Sequence, residues 1–113
     1  MGLTEIIKNA LKQNFETIQI FNPMGKDLAF KGVELIRLEN RKEQPVEGLP
    51  LNGSILVYMT DKDNFVIVDD RNNEKEGPTI LKGKHELTFG CYGYDRIAKE
   101  LYKRLGIDSY LYV

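Results

Sequence analysis

At 113 residues, with 16 Lys and Arg against 17 Asp and Glu, one Cys, one His and no Trp, the chain reads as one soluble domain, residues 1–113. A chain of this size buries roughly two-thirds of the surface its unfolded form exposes, so it needs neither disulfides nor a structural metal. The formal net charge of -1 excludes a global attraction to nucleic acid or to an anionic membrane and leaves only local patches.

The apolar runs, such as Ile55-Leu56-Val57-Tyr58-Met59, fall far short of the roughly 18 residues that cross a bilayer. Met1-Gly2-Leu3-Thr4-Glu5-Ile6 lacks the basic and apolar regions of a secretory signal, and Ile6 stands where myristoylation needs Ser or Thr. With a single Cys, these features lead us to expect a reducing, cytoplasmic setting. No internal repeat or linker-like composition is visible.

Leu3, Ile6, Ile7, Ala10, Leu11 and Phe15 follow helical spacing, which predicts an N-terminal amphipathic helix over 3–14 with Thr4 as its cap. Thr17 to Phe21 favours a strand with Ile18 and Ile20 on one face, and Asn22-Pro23-Met24-Gly25 has the chemistry of a turn. Residues 27–41 fit a helix or a strand. Gly32 and the β-branched residues tilt them to a strand with Val33/Leu35 on one face and Ile36/Leu38 on the other. Asn40 to Gly53, with Pro45, Gly48 and Pro50, reads as an exposed loop.

Ile55–Thr60 and Phe65–Asp69, joined by Asp61-Lys62-Asp63-Asn64, predict a hairpin whose strands are apolar on both faces and so central in the sheet. Asp70 to Pro78 reads as a polar loop, and Thr79-Ile80-Leu81 is too short to assign. His85 to Phe89 reads as a strand with Leu87 and Phe89 inward. Asp95 caps a second helix, 95–105, closed by Gly106, and Ser109 to Val113 alternates like a final strand with Leu111 and Val113 inward. The expected architecture is α+β: a mixed or antiparallel sheet of about five to six strands with two helices packed on one face.

No catalytic constellation stands out. Cys91, just before a helix start, with His85 as a base, is the pair a thiol-dependent enzyme would use. An ordinary buried or tolerated Cys outweighs that reading. Gly90-x-x-Gly93 is a fragment of a phosphate cradle, but Asp95 puts negative charge where the phosphate would sit. Asp61/Asp63 and the acids from Asp69 to Glu76 lack calcium-loop spacing, so no metal, cofactor or catalytic residue is assigned.

Two surface features remain. Between Lys82 and Arg104 there are six cations, Lys82, Lys84, Arg96, Lys99, Lys103 and Arg104, against three acids, and between Asp61 and Glu76 the balance is reversed. Five of the six tyrosines lie in the last 22 residues, and Tyr92, Tyr94, Tyr110 and Tyr112 pair up on extended segments. Tyrosine joins an apolar body to a polar tip and is enriched at interface hot spots. The first expectation is a non-enzymatic protein-binding or accessory domain, self-association included, that uses these four tyrosines. The alternative is nucleic-acid binding through the six cations.

Overall fold

A computed structural model describes residues 2–43, 45–50, 53–69, 77–90 and 92–113. Among these residues five strands form one antiparallel sheet in chain order: β1 Glu16–Ile20, β2 Leu28–Glu39, β3 Ser54–Thr60, β4 Phe65–Asp69 and β5 Thr79–Leu81. Among the described residues three helices accompany them, α1 Leu3–Ala10, α2 Gly83–Thr88 and α3 Arg96–Arg104. The fold is a small α+β domain. Its radius of gyration, 13.9 Å, is close to the roughly 13 Å expected of a compact chain of this length.

A bulge in β2 decides which of its side chains face the core. Glu34 pairs with Tyr58, yet Ile36 pairs with Val57, so Leu35 is an extra residue in β2. A regular strand would send Val33/Leu35 and Ile36/Leu38 to opposite faces, as the sequence suggested. The bulge turns both pairs toward one core with Ile55, Val57, Met59, Phe65, Ile67 and Leu81. Leu3, Leu87, Ile97 and Leu101 from the helices, with Leu105 at the C-cap of α3, complete that core. On the other face the half-buried rings of Phe30 and Tyr58 meet edge to face at 5.9 Å, and Leu56 and Val66 are buried. Gly32, opposite Thr60, lets the chain close up: a Cβ there would lie 2.8 Å from the Met59 carbonyl oxygen and 2.9 Å from the Phe30 ring.

The hairpin forms as its sequence dictates. Thr60 is buried, and its hydroxyl accepts the Lys62 and Asn64 N–H groups at 3.2 and 3.1 Å, while Asp63 takes the left-handed conformation at φ 63°. The long connection from Asn40 is less exposed than its composition implies. Val46 and Leu49 are buried, and the Asn40 amide holds both their backbones, donating to the Leu49 carbonyl at 2.8 Å and accepting the Val46 N–H at 3.2 Å.

Three further sequence expectations are corrected. The first helix ends at Ala10, not at 14, and Leu11 is 59% exposed. Pairing of Glu16 with Gly32 draws the chain away into β1, and tertiary pairing overrides helix propensity. Its N-cap is Gly2, so Thr4 does not cap it. Residues 85–89 lie not in a strand but in or just after the short helix α2, where Leu87 is fully buried and Phe89 is 64% exposed. The Glu86 carboxylate accepts the Lys82 N–H at 3.0 Å and fixes that helix start.

The third correction concerns the C-terminal segment, which joins no sheet: Leu111 and Val113 are 86% and 116% exposed. Its departure is set by the end of α3. Gly106, at φ 72°, donates to the Lys103 carbonyl and Ile107 donates to that of Tyr102, a Schellman closure that only a left-handed residue allows. It steers the chain alongside α3 instead of toward a sheet edge. The expected cap at the other end of α3 is present, with Asp95 Oδ1 accepting the Ala98 N–H at 2.7 Å.

Candidate interaction surface

Of the tyrosines singled out in the sequence, Tyr92 and Tyr94 help to fasten the turn before α3. Tyr92 is half-buried against the core and donates its hydroxyl to Asp69 at 3.0 Å. Tyr94 is 62% exposed, but its hydroxyl donates to the Phe89 carbonyl at 2.8 Å and its ring lies over Gly90. Tyr102, buried, completes the clasp with a 2.7 Å bond to the Gly93 carbonyl. Gly90-x-x-Gly93 is thus a backbone turn sealed by tyrosine hydroxyls, and Asp95 already occupies the helix start beside it.

Tyr110 and Tyr112 are placed differently, 81% and 79% exposed. Asp108 organises them. Its Oδ1 accepts the Tyr110 N–H at 3.0 Å and its Oδ2 the Tyr112 hydroxyl at 2.7 Å. The Tyr110 N–H, and then the Tyr112 hydroxyl, hold the Asp108 carboxyl below its ordinary 3.8. The same hydrogen bond, backed by the Asp108 charge, raises the Tyr112 phenol above its ordinary 10.0.

Between α3 and this segment runs a cleft of about 560 Å³ lined by Arg96, Lys99, Glu100 and Lys103 and by Gly106 to Tyr110. A second hollow, lined by Phe89, Tyr94, Ile107 and Tyr110, adjoins it across the same segment. The six cations are not equivalent. Arg96 is ion-paired with Glu47, and Arg104 with Glu100 at 3.0 Å. Lys84 donates to the Thr4 hydroxyl at 3.2 Å and lies beyond the segment, beside Gly106 to Asp108. Lys82 and Arg104 do not line the cleft. Lys99 and Lys103 line it, exposed, with no ion pair to any described residue.

His85 is exposed on α2, its ring edge to face with Phe89 at 4.5 Å, and Cys91 lies outside the described residues. Asp61 and Asp63 sit exposed at the hairpin tip. The sequence's other acidic run, from Asp70 to Glu76, also falls outside the described residues. No group of three His, Cys, Asp or Glu side chains converges among the described residues. No helix of the described residues is long and apolar enough to cross a membrane.

Sequence reasoning overlooked Asp108, although an Asp two residues before a backbone N–H is the signature of an Asx turn. It also overlooked Phe21 and Met24, 71% and 74% exposed at the turn joining β1 and β2. Set against known proteins, the chain matches no family model, no curated protein and no solved structure.

Proposed function

We propose that this chain is a non-enzymatic, cytoplasmic protein-binding or accessory domain, whose interaction surface is the segment Tyr110 to Val113 with the cleft beside α3. The observation that carries this reading is the exposure of four consecutive large side chains, Tyr110 81%, Leu111 86%, Tyr112 79% and Val113 116%, next to a helix whose own apolar face is fully buried. Scattered exposed apolar residues are ordinary, whereas a contiguous run of aromatic and aliphatic side chains marks an interaction site. Asp108 pre-orders the run, which lowers the entropy lost on binding. Tyr94 extends the surface through the adjoining hollow, while Tyr92 is tied to Asp69 and the core.

The partner is a second protein or a second copy of the chain. Capture from the native source, with Tyr110→Ala/Tyr112→Ala beside the wild type, tests the reading, together with native mass spectrometry. Loss of a specific partner or of a dimer in the double variant is the expected outcome. A strict monomer whose captured proteins are the same in both forms overturns it.

Nucleic-acid binding is the second reading, favoured by the exposed Lys99 and Lys103 beside Tyr110. It predicts an affinity for oligonucleotides that falls steeply with salt, with a log-log slope of about -3 to -5 for four to six phosphates.

A further inference from the structure

The cleft beside α3 holds an imbalance of charge that its own residues do not settle. Both of its carboxylates are engaged within the chain: Glu100 with Arg104 at 3.0 Å, Asp108 with the Tyr110 N–H and the Tyr112 hydroxyl. Arg96 is engaged with Glu47. Lys99 and Lys103 are left as the cleft's unmatched charges, one helical turn apart on the same face of α3, with Ile107 and Tyr110 beside them.

From this we infer that the cleft takes an extended, acidic peptide segment of a partner protein, with two carboxylates on Lys99 and Lys103 and an apolar side chain against Ile107 and Tyr110. The spacing suits that ligand. Four residues of helix rise about 6 Å, and side chains two apart on an extended peptide point the same way at about 6.6 Å. An acidic-x-acidic segment therefore meets both ammonium groups at once, and the next residue on that side falls beside the apolar part of the cleft. A phosphodiester backbone fits less well. Its charges continue evenly along the strand, so one would fall beside Ile107 and the Asp108 carboxylate, where the acidic-x-acidic segment places an apolar side chain. The inference rests on the protein-binding reading and names the chemistry of the partner.

The test is fluorescence anisotropy of the full chain with a labelled peptide carrying Glu-Ser-Glu-Ser-Phe, against Lys-Ser-Lys-Ser-Phe and a labelled oligothymidylate. We expect the acidic peptide to bind at low salt and the basic one not to. Lys99→Glu/Lys103→Glu should weaken binding by about tenfold or more, as should raising salt from about 50 to about 300 mM. Lys82→Glu, outside the cleft, should leave it unchanged. Both lysines are exposed and form no ion pair with any described residue, so an unchanged melting temperature verifies that the double variant folds.

Equal binding of the two peptides, indifference to the charge reversal, or displacement of the acidic peptide by the oligonucleotide overturns the inference. Partner capture separates the two levels. If Tyr110→Ala/Tyr112→Ala abolishes capture and Lys99→Glu/Lys103→Glu does not, the acidic-segment inference fails and the protein-binding reading stands. If neither double variant affects capture, both fail.

Discussion

At the scale of single residues, Asp108 is the position with the most specific consequence. Its carboxylate form accepts both hydrogen bonds, and its folded pKa is depressed, so the order it gives the segment is complete above the ordinary 3.8 and is lost as the pH falls through the lowered value. Tyr112 works in the opposite sense. Its phenol is raised by the same bond, so its contribution is complete below 10.0 and is lost as the pH rises through the higher folded value. Spectrophotometric titration of the wild type beside Asp108→Asn should therefore show Tyr112 ionising later in the wild type, the difference being its return toward the ordinary range in the variant. A titration unchanged by Asp108→Asn would mean that the Tyr112 hydroxyl does not rest on that carboxylate in solution. Gly32 is the other telling residue, because any side chain there meets the Met59 carbonyl and the Phe30 ring. Gly32→Ala should cost about 1–3 kcal/mol of overpacking, measured by denaturant unfolding.

Between residues and the whole fold stand the elements, and here the sequence was informative where the signal is local. Asp95 and Gly106 bracket α3, and the Asp61 to Asn64 tip defines the β3–β4 hairpin, because caps and turns are decided by residues within a few positions. The bulge at Leu35, the burial of Val46 and Leu49, and the early end of α1 depend on partners far along the chain, so no local pattern marks them. A period of two describes an extended segment whether or not another strand lies beside it, which is why Ser109 to Val113 read as a strand. At the candidate site the residue types were legible. Which cations are free was not, since the Arg96–Glu47 pair spans 49 residues of sequence.

Helix α2 offers a direct experimental distinction. Were residues 85–89 a strand with Leu87 and Phe89 inward, both side chains would carry core burial. In α2 only Leu87 is buried, and Phe89 is 64% exposed. Leu87→Ala should cost about 2–5 kcal/mol, and Phe89→Ala less than about 1. Comparable losses in the two variants would return the segment to the sheet.

Across the whole molecule, stability and proposed function are separated in space. The apolar sides of the three described helices and one face of the sheet share a core, in which Leu101 of α3 and Leu105 at its C-cap are fully buried. The opposite side of α3 carries Lys99 and Lys103, and the segment beyond Asp108 buries no large side chain. Changes to the surface should therefore leave the fold intact, while changes to the core should remove both. Leu101→Ala should lower the melting temperature by roughly 10 °C or more, at about 4–8 °C per kcal/mol for a domain of this size. Deleting residues 109–113 should shift it by less than about 2 °C, because the side chains removed bury little apolar area. The same deletion should abolish partner capture as completely as Tyr110→Ala/Tyr112→Ala. Calorimetry on the two variants checks the separation. A truncation as costly as Leu101→Ala would make the segment part of the core's support and withdraw the interaction surface built on its exposure. A truncation harmless to both folding and capture would leave the fold as described and move the search for a binding surface to the Phe21 and Met24 turn.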